Sequence, residues 1–270
     1  DDIVRTVAPE VKCEYIPHSI NMETFKPDVQ KGKQFKLQNF GDKTLFFWNS
    51  RNARRKLSGS VIWWFSEFLK EVGQDKAALL MHTDPKDGNG QDLQAIIEEL
   101  GLTNGEVKFS VGRNNLEEMA MMYNGADATI CVSDAEGFGL SCLESLSCGT
   151  PVIANMTGGL QDQITDGKEF FGIGIHPASK AVIGSQQVPY IYEDRISRED
   201  FISALRKIHV MTEKEREELS AKCRTHVESN FNPQTLLKRW DELLTELHET
   251  AGSWETRKHP RWTLEEMKVA

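Results

Sequence analysis

Ser133 to Ala154 reads S-D-A-E-G-F-G-L-S-C-L-E-S-L-S-C-G-T-P-V-I-A. The apolar run before it, Ala128–Val132, predicts a buried strand. Leu140, Leu143 and Leu146 or Ser147 recur at helical spacing. Gly149 stands where a helix commonly ends, with Pro151 two residues on, and Pro151–Ala154 predicts the next strand. The stretch is therefore strand, glycine-flanked turn, helix, strand. Gly137 and Gly139 flank Phe138 where the helix starts. Glycine lets backbone approach a ligand closely, and the first N–H groups of a helix lack internal partners and carry partial positive charge. Together they suit a phosphate or diphosphate. Glu144, facing back toward the turn, can accept hydrogen bonds from a vicinal diol such as a ribose. Glu136, in the turn itself, can hold another hydroxyl-rich group. A Gly-X-Gly turn alone is weak evidence, and an acidic residue near a helix N-terminus often only complements the dipole. Two glutamates with seven residues between them, inside one strand–helix–strand unit, are far more specific.

Working outward, strand and helix patterns alternate from Lys43. Strands are predicted over 44–48, 77–81 and 107–111, and helices over 60–72, 93–100 and 116–123. That alternation indicates α/β architecture: a Rossmann-like parallel sheet with helices on both faces. In such sheets ligands sit beyond the carboxyl ends of the strands. The loop after Trp48, N-S-R-N-A-R-R-K over 49–56, holds four cations in six residues. It can neutralise a diphosphate, although a solvated basic loop would look the same in isolation. Arg113, after the strand at 107–111, can stack on a base or face solvent. His82-Thr83-Asp84-Pro85 lacks the spacing of a metal site.

The pattern E-G-F-G-L-S-C-L-E-S-L-S-C-G-T-P-V-I-A resembles the paired-glutamate motif of the family 4 retaining glycosyltransferases. The resemblance covers about residues 14–250. It implies a GT-B architecture, two Rossmann-like domains facing a cleft, of which this chain matches the C-terminal, donor-binding one. It also implies a hexosyltransferase that takes a UDP- or GDP-type nucleotide sugar, retains anomeric configuration and needs no metal or other cofactor. Glu136 then holds donor-sugar hydroxyls, with Arg51 and Lys56 as the catalytic cations on the diphosphate. Glu144 binds the ribose, and Gly137, Phe138 and Gly139 contribute the helix-start amides. Arg55 can be a substitute through a register slip of one. Val111 and Arg113 fall near the nucleobase. The family commonly has glycine before its arginine, where this chain has Ser50.

The resemblance further implies an acceptor that is a glycan, lipid or protein glycan, and an N-terminal acceptor domain outside this chain. Residues 1–42 are expected to form an interdomain linker and entry strand, with 28–42 a loop and His18 structural. Residues 43–250 form the donor domain. About 168–197 departs from the family pattern and reads as an insertion with one or two short strands. Three helices close the fold, over 198–211, 212–228 and from Asn232-Pro233 on, and 251–270 is a tail.

Composition is that of a globular protein. The 270 residues are 39% hydrophobic and 27% charged, enough for a core. A formal charge of −9 disfavours nucleic acid or anionic membrane as partner. No run approaches the roughly 18 apolar residues of a membrane span. Five cysteines, none in a C-x-x-C pair, argue against zinc or a disulfide framework and fit the reducing cytosol. The expected location is cytoplasmic, or peripheral to a membrane through a domain outside this chain. The chain begins on Asp1 rather than Met and is expected to start inside a longer protein. Two other classes share parts of this pattern: a nucleotide-sugar epimerase, and a non-catalytic binding or scaffold module. A dinucleotide dehydrogenase is disfavoured, since no G-x-G-x-x-G follows the first strand.

Overall fold

The computed structural model describes residues 2–253, 255 and 256; most of the expected tail, 254 and 257–270, lies outside them. In chain order the helices are α1 (Asp2–Val7), α2 (Val29–Phe40), α3 (Ser58–Val72), α4 (Leu93–Glu99), α5 (Leu116–Gly125), α6 (Leu140–Ser147), α7 (Leu160–Ile164), α8 (Arg198–His209), α9 (Glu213–Asn230) and α10 (Pro233–Ala251). The strands are β1 (Thr44–Asn49), β2 (Ala77–His82), β3 (Val107–Ser110), β4 (Ala128–Cys131), β5 (Val152–Asn155), β6 (Gly172–Ile175), β7 (Ser179–Ile183) and β8 (Ile191–Arg195). The chain divides into two compact units, one spanning Ile20–Asn230 and the other combining the residues up to Ser19 with those from Phe231. In the second unit Lys12 pairs with Glu246 at 2.5 Å, and Arg239 pairs with Glu14.

The larger unit is built on a six-stranded sheet ordered β3-β2-β1-β4-β5-β6, parallel throughout. β1 is buried on both faces, as parallel strands covered by helices are. Phe46 packs edge-on to Phe65 and Phe68 of α3. Its neighbour Phe47, on the opposite face, meets Tyr123 of α5. The main core gathers β1, β2 and β4 with α3 and α8 around Phe46, Trp48, Phe65, Leu79, Ile130 and Phe201. The expected α/β, Rossmann-like class is therefore the observed one.

Three local expectations are corrected. Residues 28–42 are not a loop: they carry α2, capped by the Asp28 carboxylate, which accepts from Lys31 N at 3.1 Å. The helix lies against α5 so closely that a Cβ at Gly32 would stand 2.2 Å from the Asn124 carbonyl oxygen. Its polar sequence conceals this, because a glycine contact replaces an apolar stripe. No entry strand forms over 13–17. The 168–197 segment, expected to hold one or two short strands, holds three. It supplies β6, which pairs with β5, and the antiparallel β7–β8 hairpin.

Among the described residues, no helix is long and apolar enough to cross a membrane. Cys131, Cys142, Cys148 and Cys223 are buried and, with Cys13, unpaired.

Candidate functional site

The strand order reverses between β1 and β4. In parallel sheets the loops at the carboxyl ends of the strands flanking such a reversal are the usual place for a ligand. Residues 50–57 leave β1 through a 3-10 turn at Arg54–Lys56, and residues 132–139 leave β4. Their backbones touch, with Asp134 N donating to the Arg55 carbonyl at 2.8 Å. Arg55 Nη1 donates to the Ala135 carbonyl at 2.6 Å and lies 3.4 Å from Glu136 Oε2. Lys56 Nζ pairs with the same oxygen, and Ser133 Oγ donates to it at 3.3 Å. Burial works to raise the Glu136 carboxyl, but the ammonium of Lys56, then Arg55 and Ser133, outweigh it and hold the group below its ordinary value. Glu136 is therefore an anion at neutral pH.

The turn is held from one side by the loop after β5. Gly139, at φ 89°, starts α6. Gly159 N donates to the Gly137 carbonyl at 3.0 Å, and Gln163 Nε2 donates to that of Phe138 at 2.5 Å. A Cβ on Gly158 would sit 1.8 Å from the Glu136 carbonyl oxygen, whereas one on Gly137 would meet nothing within 4 Å. The turn is thus clamped through the carbonyls of Gly137 and Phe138, while the space beside the Gly137 α-carbon is open.

Glu144 closes a second set of contacts. Asn49 Nδ2, at the end of β1, donates to the Tyr123 hydroxyl at 2.7 Å. That hydroxyl donates to Glu144 Oε2 at 2.6 Å. Burial raises the Glu144 carboxyl, and the Tyr123 hydrogen bond opposes the rise in part. Burial, and then the neighbouring Glu144 charge, push the Tyr123 hydroxyl well above its ordinary value, so it remains a donor. The paired glutamates thus sit in different settings, Glu136 among cations and Glu144 against a neutral donor.

The structure does not gather every residue singled out in the sequence. Arg51 Nε and Nη2 donate to Asp87 at 2.6 and 3.1 Å, and this pairing draws the Asp87 carboxyl far below its usual range. Arg55 and Lys56, rather than Arg51, reach Glu136. Val111 and Arg113 lie in the exposed turn after β3, two strand positions from β1, where Gly112 takes φ 94°. Among the described residues no cluster of His, Cys, Asp or Glu is arranged to hold a metal.

Other groups at this edge were not visible as site residues in the sequence. Arg54 Nη1 and Nη2 donate to the two oxygens of Glu193 at 2.8 and 2.5 Å. Arg195 Nη2 stands 3.6 Å from Glu193 and 3.9 Å from Asp134. Asp134 is 1% exposed. Burial pushes its carboxyl up to about 6, with Arg195 and Arg54 pulling down and Glu193 adding to the rise. Asn155 Nδ2 bridges the carbonyls of Ser133 and Asp194, each at 2.8 Å. The only sequence signal for these contacts was the charged run Glu193-Asp194-Arg195, which lies on β8 and pairs with β7 in an antiparallel hairpin.

The family model described as glycosyl transferases group 1 matches residues 66–208. A D-inositol 3-phosphate glycosyltransferase of Paenarthrobacter aurescens is 36% identical over 110 residues, 40% of this chain and 26% of that protein. Sucrose-phosphate synthase from Thermosynechococcus elongatus superposes with a TM-score of 0.72 at 21% identity, over 92% of this chain and 56% of that one. Anabaena HepE, solved in complex with UDP and glucose, gives 0.68 at 16% identity, over 87% of this chain and 57% of that one. The chain thus spans about a quarter of that curated relative and a little over half of those solved chains.

Proposed function

We propose, because the chain belongs to the group 1 glycosyl transferases, that it binds the nucleotide-sugar donor of a retaining glycosyltransferase. The convergence of Arg55 and Lys56 on Glu136 at the crevice between β1 and β4 carries this reading. The donor diphosphate lies against Arg55, Lys56 and the open turn at Gly137, Phe138 and Gly139. The Glu144 carboxylate accepts from the ribose hydroxyls, and Glu136 accepts from the donor sugar. Arg55 takes the role the resemblance gave to Arg51. Val111 and Arg113 border the base. The UDP complex of HepE supports a uridine diphosphate sugar as the donor, and a GDP-mannose-dependent mannosyltransferase of Mycolicibacterium smegmatis, 28% identical over 171 residues, supports a guanosine one.

In the reaction, the bond between the sugar's anomeric carbon and the diphosphate oxygen breaks, and its electron pair stays on the diphosphate. The acceptor hydroxyl oxygen bonds to the same carbon from the same face, and its proton passes to the leaving phosphate. Charge grows on the diphosphate as the bond opens. Preorganised cations in a half-buried crevice stabilise that charge more than bulk water does. Glu136 accompanies the positive charge that develops on the sugar ring. The acceptor is a glycan, lipid or protein glycan presented by a separate N-terminal domain, and the work is done in the cytoplasm.

Calorimetric titration with UDP, GDP, ADP and their sugars tests the reading, with Glu144→Ala as control. Binding of one nucleotide, weakened in the variant, is expected. Equal binding by the variant would remove Glu144 from the site.

A further inference from the structure

We propose that the β7–β8 hairpin is a working part of the donor site. Glu193 is its positioning residue, setting the 3-10 turn Arg54–Lys56 against Glu136 through Arg54. The inference rests on the donor-site reading of that turn.

The hairpin forms a two-stranded sheet of its own and is joined to the site loops by polar contacts. Asp194 N donates to the Asp134 carbonyl at 2.8 Å. Thr157 Oγ1 donates to Asp194 Oδ2 at 2.8 Å, and Asn155 ties Ser133 to Asp194. Glu193 and Arg195 alternate with Asp194 and so share the opposite face of the strand. On that face Glu193 takes both arms of Arg54. One strand thereby meets the loops after β1, β4 and β5.

The energetics favour a positioning role over a stabilising one. The Glu193 side chain is 3% exposed and that of Arg54 is 57% exposed. Burying a carboxylate gains little net stability even with Arg54 and Arg195 beside it, because desolvation offsets the attraction. A bidentate guanidinium pair does fix direction. Arg54 begins a three-residue turn, so fixing it also fixes the start points of Arg55 and Lys56. The groups facing Asp134 are Arg195 and Glu193 of β8 and Arg54 of the turn. Neutralising Glu193 removes a like charge and leaves both arginines, so the Asp134 carboxyl moves below 6.

The test uses the full chain and three variants: Arg54→Gln, Glu193→Gln and the double substitution. Arg54 is exposed, so its variant tests the link without emptying a buried position. Affinity for UDP, GDP and ADP is read by calorimetry, and exchange of the Lys56 and Leu57 amides by hydrogen exchange. Those two amides close the turn onto Ala53 and Arg54. Each single variant is expected to lose about tenfold in nucleotide affinity, with the double no worse than the weaker single, and to exchange faster at both amides. Carbon-detected titration is expected to show the Asp134 carboxyl falling in Glu193→Gln. Wild-type affinity and unchanged exchange in both single variants would overturn the brace, as would losses that add in the double. If the unsubstituted chain binds none of the three nucleotides, the donor reading fails by itself. Faster exchange in the variants then still supports the brace, and unchanged exchange overturns it.

Discussion

At Glu144 burial and a hydrogen bond act in opposite directions, and burial prevails. A ligand diol adds further donors to the same carboxylate, and hydrogen bonds to a charged group contribute about 1.5–3 kcal/mol each. Loss of one such bond alone means that Glu144→Ala should weaken nucleotide binding by at least about 10-fold in calorimetry. It also leaves the buried Tyr123 hydroxyl without its acceptor, so a modest drop in Tm should accompany the loss. Asp134 makes the opposite kind of prediction. Its carboxyl titrates at about 6 in the folded chain, against about 3.9 when unfolded. Between those values the folded chain binds more protons, so stability falls as pH rises through the window and levels off above it. Asp134→Asn removes that loss. Thermal melts at pH 4.5 and pH 7.5 should show the variant gaining on the parent at the higher pH, by at most about 3 kcal/mol.

At the scale of elements, two glycines beside Glu136 separate a requirement of the fold from one of a ligand. Gly158 sits at φ 51°, and any Cβ there would strike the Glu136 carbonyl. Gly158→Ala should displace the turn before α7 and lower both Tm and nucleotide affinity. Gly137 has no positive φ, and a Cβ added there would meet nothing within 4 Å. Gly137→Ala should leave Tm within about 1 °C of the parent while weakening nucleotide binding, because only a ligand needs that space. Unchanged affinity would place the diphosphate elsewhere. The same scale explains what sequence patterns missed. α2 and β6 both lack a strong apolar period, and each is held by a glycine approach: Gly32 to Asn124, and Gly172 to Val152. Such contacts depend on where another backbone lies, which no local window contains. The helices over 58–72 and 116–125 were legible because Val61, Phe65, Phe68 and Leu69, and Met119, Ala120 and Tyr123, bury one face.

For the molecule as a whole, the unit Ile20–Asn230 contains the entire main core, from Phe46 through Ile208, and every residue placed at the donor site. A chain trimmed to residues 20–230 should therefore fold with helix and strand content matching its share of the parent. It should also keep nucleotide affinity within about threefold. Circular dichroism and calorimetry check both. Loss of folding would mean that the core needs residues outside this unit. The site lies where the sheet reverses its order, so one place receives loops whose strands are neighbours in space, with paired residues such as Phe46 and Ala128 far apart in sequence.

Local chemistry was enough to identify the Rossmann-like class, the glycine turn, the paired glutamates and the basic loop, since each is a matter of period, dihedral freedom or charge within a short window. Only the tertiary structure decided which cations of that loop face Glu136. Arg51, Arg54, Arg55 and Lys56 are alike in sequence. Asp87 and Glu193 capture the first two, and Arg55 and Lys56 reach Glu136. The choice belongs to carboxylates on distant segments, and the Coulomb attraction that makes it acts through space over a few ångströms, whatever the separation along the chain.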